Sequence, residues 1–100
     1  MAVYAVSFKI EGDAASGERR DDFVKQVKEG GEYCWDETAA FVIVAAPEAT
    51  IEAFCKRLDK SSFDETKDRY FVYHPESGRA RIRGRFKDMR SLSLLMPGLE

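Results

Sequence analysis

Histidine and tryptophan each occur once in these 100 residues, cysteine twice and proline three times, and those shortages remove several function classes. A single histidine, His74, rules out a histidine-rich metal centre. The two cysteines, Cys34 and Cys55, lie 21 positions apart with no CxxC pair and no neighbouring histidine, the opposite of zinc-ligand or redox-motif spacing. Both are expected to be buried free thiols. No run approaches the roughly 18 apolar residues of a membrane span. The opening MAVYAVSFKI carries its charge at Lys9, after the apolar stretch rather than before it as a signal peptide would. A cytoplasmic protein without membrane contact is expected. Gly12 and Gly17 form neither GxGxxG nor GxxxxGK, so no nucleotide-phosphate loop is present, and no calcium-loop pattern occurs. No cofactor and no metal are expected.

What is present is an ordinary globular composition, 44% hydrophobic and 34% charged, in a chain the size of one domain, residues 1–100. The net charge of −2 conceals an asymmetry. Residues 79–90 hold Arg79, Arg81, Arg83, Arg85, Lys87 and Arg90 against the single acid Asp88, giving +5, so the rest of the chain sums to −7. Four of those arginines stand at every second position, a spacing that places all four on one side of an extended strand. A local basic strip of this kind attracts a polyanion even on a mildly acidic protein. The same ladder is also what a solvated edge strand uses to block aggregation, with its arginines paired to acids such as Asp64 or Glu65. A contact with a protein partner is the third reading. Arginine at all four positions favours bidentate contact with phosphate or carboxylate.

Periodicity orders the rest. Tyr4–Ile10 alternates as a strand, and residues 11–17 form a loop. Residues 18–29 place Phe23, Val24 and Val27 at helical spacing, with acids early, lysines late and Gly30-Gly31 at the end. Glu32–Trp35 and Thr38–Ala46 read as a hairpin, and Pro47 marks the approach to a helix carrying Ile51, Phe54, Cys55 and Leu58. Asp59–Asp68 is a polar connection whose acids Asp64, Glu65 and Asp68 are expected to be solvated. Arg69–His74 and Arg79–Phe86 are strands about the turn at 75–78. The order βαββαββ predicts an α+β domain: a ferredoxin-like βαββαβ sandwich with an additional C-terminal strand, two helices on one face of a mainly antiparallel sheet. Core packing is expected to take most of Tyr33, Trp35, Tyr70, Phe71 and Tyr73, and a solvated position His74. Ser91–Glu100, with Leu92, Leu94, Leu95, Met96 and Leu99, is too apolar for a free tail and is expected on its own sheet or at a dimer interface.

The strand YAVSFKI, the segment WDETAAFVIVAAPEATIEAFCKRL and the strand DRYFVYHP, in that order, resemble the small Cas2-like proteins, including a bacterial branch of SinR-family type. The similarity covers roughly residues 3–75. It implies a ferredoxin-like domain that forms homodimers, often with the last strand against the partner's sheet. Members with nuclease activity carry an aspartate near the end of the first strand, thought to hold a divalent metal across the dimer. Here that stretch is Phe8-Lys9-Ile10, and a lysine ammonium has no lone pair to offer Mg²⁺. The expectation is therefore a homodimeric, non-catalytic binding or assembly module, with RNA or DNA held by Arg79, Arg81, Arg83, Arg85, Lys87 and Arg90. Two alternatives stay open: a protein-interaction subunit with no nucleic-acid role, and a divergent metal-dependent endonuclease in which Glu11 or Asp13 replaces the missing aspartate.

Overall fold

A computed structural model describes residues 1–100 as eight elements: β1 (Ala2–Lys9), α1 (Ser16–Lys28), β2 (Cys34–Trp35), β3 (Phe41–Ala46), α2 (Ile51–Leu58), β4 (Arg69–His74), β5 (Arg79–Gly84) and α3 (Met89–Leu95). The strands form one open sheet in the order β2-β3-β1-β4-β5, antiparallel at every pairing. The chain is thus α+β, with three helices rather than the two expected. No helix is long and apolar enough to cross a membrane.

The sheet's two faces follow from the period of two. Ala2, Tyr4, Val6 and Phe8 of β1, Val42, Val44 and Ala46 of β3, and Tyr70 and Val72 of β4 are buried together. Phe23 and Val27 of α1 and Ile51, Phe54, Cys55 and Leu58 of α2 close over them. The centre is aromatic: Tyr4 stacks on Phe54 at 4.2 Å between centroids, and its hydroxyl donates to the Glu48 carbonyl at 2.9 Å. Helix α2 begins at Ile51, four residues beyond Pro47, because Thr50 supplies the cap: its Oγ1 accepts from the Ala53 N–H at 3.2 Å.

Three element boundaries depart from the sequence reading. Ala40 adopts φ 54°, so the apolar run 39–46 is cut by a turn and β3 starts only at Phe41. Gly84 adopts φ 108° and ends β5 there, which takes Arg85 and Phe86 off the strand. The C-terminal segment is helical over Met89–Leu95, with the Asp88 carboxylate accepting from the Ser91 N–H at 2.9 Å. Beyond α3 the chain returns to its own sheet edge. Ala80 N–H donates to the Gly98 carbonyl and Glu100 N–H to the Ala80 carbonyl, both at 2.9 Å. Only glycine fits at 98, since a Cβ there would meet the Gly78 carbonyl oxygen and stand 3.0 Å from the Arg79 Cα.

Candidate functional site

Three rungs of the arginine ladder are on one side of β5, as the spacing requires. Arg79, Arg81 and Arg83 lie opposite His74, Val72 and Tyr70, which places them on the helix-bearing face beside α2. Arg79 reaches Glu52 at 3.1 Å and also pairs with Glu100. Arg83 donates to Asp59 at 3.0 Å and to Glu65 at 3.4 Å, with its guanidinium over the Phe63 ring at 5.2 Å. Partial burial works against the Arg83 charge, and the carboxylates of Asp59 and Glu65 more than offset it. These two arginines lace the edge strand to the acids of α2 and of the loop that follows it.

Arg81 lies between them on the same face, half-buried and with no carboxylate in ion-pair range. Past Gly84, Arg85 is exposed in a shallow hollow with Glu65 and Thr66, and Lys87 and Arg90 are exposed on the way into α3. The six basic residues therefore divide: two are neutralised by acids, while Arg81, Arg85, Lys87 and Arg90 make no ion pair. Alternation could predict a common face for the ladder. It could not show which carboxylates the fold would bring across.

The acids of the connection 59–68 are not all solvated as expected. Asp68 is 1% exposed. Its carboxylate accepts from Arg19 Nε at 3.0 Å and Nη2 at 3.1 Å, from the Glu11 N–H at 2.9 Å and from the Asp64 N–H at 3.0 Å. Arg19, itself 9% exposed, holds Asp13 through Nη1 at 2.8 and 3.0 Å and donates to the Glu11 carbonyl at 3.1 Å. This cluster locks together the exit of β1, the start of α1 and the entry to β4. Sequence reasoning missed Arg19, whose only signal is a cation on the core-facing stripe of α1, four residues before Phe23.

The cluster also bears on the carboxylates considered as metal ligands. Hydrogen bonds from Arg19, the Ala15 N–H and Lys67 hold the Asp13 carboxyl well below the usual range, and that carboxylate faces two cations. No group of three His, Cys, Asp or Glu side chains is arranged to hold a metal ion. Lys9 is exposed at the end of β1.

The remaining candidates are placed as follows. His74 is half-buried rather than solvated: its ring packs on Tyr4 at 5.1 Å and its Nδ1 is 2.7 Å from Ser77 Oγ. Ser77 Oγ accepts from the Arg79 N–H at 3.2 Å, so the serine closes the β4–β5 turn. Cys55 is buried as expected, and burial pushes its thiol up to about 11. Cys34 is exposed, contrary to expectation, because β2 is a two-residue edge strand with no helix over it. Of Tyr33, Trp35, Tyr70, Phe71 and Tyr73, only Tyr70 enters the core. Phe71 and Tyr73 are half-buried on the opposite face, and Tyr33 and Trp35 are exposed.

That opposite face is open. It presents Val3, Ala5, Trp35, Phe41, Ile43, Phe71, Tyr73 and Ile82. Met96 lies over one part and lines an open hollow of about 280 Å³ with Ala5, Phe41, Phe71 and Tyr73. A second apolar hollow of about 290 Å³ lies between Val3, Tyr33, Trp35 and Ile43. Val3 is 45%, Trp35 42%, Leu94 74% and Leu95 77% exposed. Comparison of the chain with protein-family models, curated proteins and solved structures finds no match.

Proposed function

We propose that the chain is a non-catalytic binding and assembly module, a homodimer joined through the open face of its sheet. The strand order β2-β3-β1-β4 is that of the ferredoxin-like plan, with β5 added beside β4, and it supports the Cas2-like resemblance. The observation that carries the reading is the apolar open face. A single chain leaves Val3 and Trp35 in water beside the half-buried Ile43, and apolar surface of this kind marks an interaction site. A second copy is the occupant because the face is sparing in charge away from the Lys9 end and therefore self-complementary, as a two-fold interface requires. Sedimentation at about 100 μM should give twice the 11.4 kDa chain mass, and Val3→Glu with Trp35→Glu should give a folded monomer. A wild-type monomer at that concentration would sink the dimer.

Nucleic acid is the proposed ligand of the unpaired cations Arg81, Arg85, Lys87 and Arg90. Their guanidinium and ammonium groups are free to meet phosphates, whereas Arg79 and Arg83 would first have to give up carboxylates. Affinity for RNA and DNA at about 50 mM salt should fall at least tenfold in an Arg81→Glu, Arg85→Glu variant, with a shallower salt slope. An Arg79→Gln variant should lose much less. No wild-type binding, or equal loss in both variants, would favour the second reading, an assembly subunit without a nucleic-acid role. The pairing of Arg79 and Arg83 with four acids is what keeps that reading in view.

A further inference from the structure

Lys9 of β1 and Arg69 of β4 are register partners on the open face, two cations set directly opposite each other across neighbouring strands. Like charges so placed destabilise a sheet, their Cβ atoms standing about 5 Å apart. No carboxylate lies in ion-pair range of either, although the chain has 18 acidic residues and pairs many of its other cations. The Nε–H of Arg69 is moreover shut off from water without an acceptor. Buried donors left in that condition are rare and ask for a missing partner.

A cleft of about 160 Å³ opens at this point, lined by Ser7, Phe8, Lys9, Arg69, Tyr70, Phe71 and Phe86. Ser7 and Lys9 are exposed, so an entering group can reach the Ser7 hydroxyl and the Lys9 ammonium from solvent. Phe86 is there because Gly84 ends β5 and turns the chain toward the open face.

We propose that Lys9 and Arg69 form a binding site for a phosphoryl group. Two neighbouring cations call for more than one negative charge, and a phosphate monoester carries about −1.5 to −2 at pH 7 where a carboxylate carries one. Its oxygens can accept from the Lys9 ammonium, the Arg69 guanidinium and the Ser7 hydroxyl together, charge-assisted bonds of the stronger kind. Part of the desolvation of Arg69 is completed on folding, before any ligand arrives. The cleft is smaller than the roughly 300 Å³ at which whole-ligand sites begin, so it takes the phosphoryl group and leaves the rest of the molecule against Phe71 and Phe86 or in solvent. The site is on the opposite face from Arg81 and uses none of the basic residues of segment 79–90, which contributes only Phe86.

Titration of the ¹⁵N-labelled protein with inorganic phosphate and with phenyl phosphate, followed at the Arg69 Nε–H resonance, tests this. A saturable shift is expected with both, tighter for the ester. The Lys9→Glu variant separates binding from folding. It replaces a repulsive cross-strand pair by an ion pair with Arg69, so it should unfold at a higher temperature than the wild type yet lose phosphate affinity by at least about tenfold. Short DNA with and without a 5′-phosphate distinguishes the source. Dependence on the terminal group points to monoesters, and equal binding that still fails in Lys9→Glu points to the diester backbone. The proposal is overturned if phosphate leaves the Arg69 resonance unmoved, if acetate shifts it equally at the same concentration, or if Lys9→Glu binds phosphate as the wild type does. DNA binding that fails in Arg81→Glu, Arg85→Glu and persists in Lys9→Glu, together with an Arg69 resonance that phosphate leaves unmoved, would uphold the nucleic-acid reading while refuting this site.

Discussion

Asp68→Ala is expected to cost about 3–5 kcal/mol of folding stability, the range for breaking a buried ion pair by removing one partner. A 100-residue domain has on the order of 5–15 kcal/mol in total, so the variant should be unfolded or nearly so at 37 °C. The carboxylate satisfies two donors of Arg19 and the N–H groups of Glu11 and Asp64. Alanine leaves Arg19 Nε and the two N–H groups without an acceptor, and Arg19 retains only Asp13, through Nη1, and the Glu11 carbonyl, through Nη2. Asp68→Asn is the companion variant: it keeps the volume, removes the charge and turns an amide toward groups that only donate. Urea unfolding at pH 7 measures both, and an Asp68→Ala variant within about 1 kcal/mol of the wild type would show that the cluster contributes little.

The same cluster sets the acid response. Burial raises the affinity of Asp68 for a proton, but hydrogen bonds from Arg19, Asp64 and Glu11 outweigh it and hold the carboxyl below its ordinary value. Asp13 is lowered as well, first by Arg19 and then by the Ala15 N–H and Lys67. Because the folded values lie below those of the unfolded chain, near 3.9, the stabilisation is complete above that pH and is lost as the pH falls through the folded values. Wild-type stability should therefore hold between pH 7 and 5 and decline below about pH 4, while Asp68→Asn should decline less steeply over the same interval.

Gly84→Ala is expected to lose roughly 2–4 kcal/mol, seen as a fall in Tm on the order of 10–25 °C. Gly84 has φ 108°, a conformation that side chains rarely adopt, and it pairs with Arg69 across the β4–β5 ladder. A Cβ there would meet the Asp68 carbonyl oxygen and stand 2.8 Å from the Arg69 Cα. Both are backbone atoms that cannot rotate aside, so the strands must splay. Since Asp68 is the residue whose backbone is pushed, losses from Gly84→Ala and Asp68→Ala should not add. Gly12→Ala is the control: nothing lies within 4 Å of its Cβ position, and its stability should be unchanged or slightly raised. A Gly84→Ala variant that melts with the wild type would mean that the end of β5 is not held as described.

Strand and helix identity was legible where one local period ran unbroken. Tyr4, Val6 and Phe8 announced β1 and its buried face, and Ile51, Phe54, Cys55 and Leu58 announced α2, because each pattern needs only one apolar side. Reading was poorer where two elements shared the evidence. Ser91-Leu92-Ser93 and the residues after it read as an apolar tail because α3 is only seven residues long and buries none of them. Tyr33 and Trp35 look like core residues, yet β2 is an edge with no layer above it. An apolar residue reports that it can be buried, and whether anything covers it depends on the neighbouring element.

Alternation alone was sufficient to put Arg79, Arg81 and Arg83 on one face, and composition alone to make residues 79–90 a basic strip in an acidic chain. Their chemistry was settled at a distance. Glu52, Asp59 and Glu65 come from 18 to 27 positions away to occupy Arg79 and Arg83. Asp68 crosses 49 positions to meet Arg19, and it changes from a solvated loop acid to the buried centre of a cluster. Local periodicity is a property of neighbouring residues and can be read along the chain. Charge pairing and desolvation are properties of groups brought together by folding, and they separate the arginines that brace the sheet from those left free to bind.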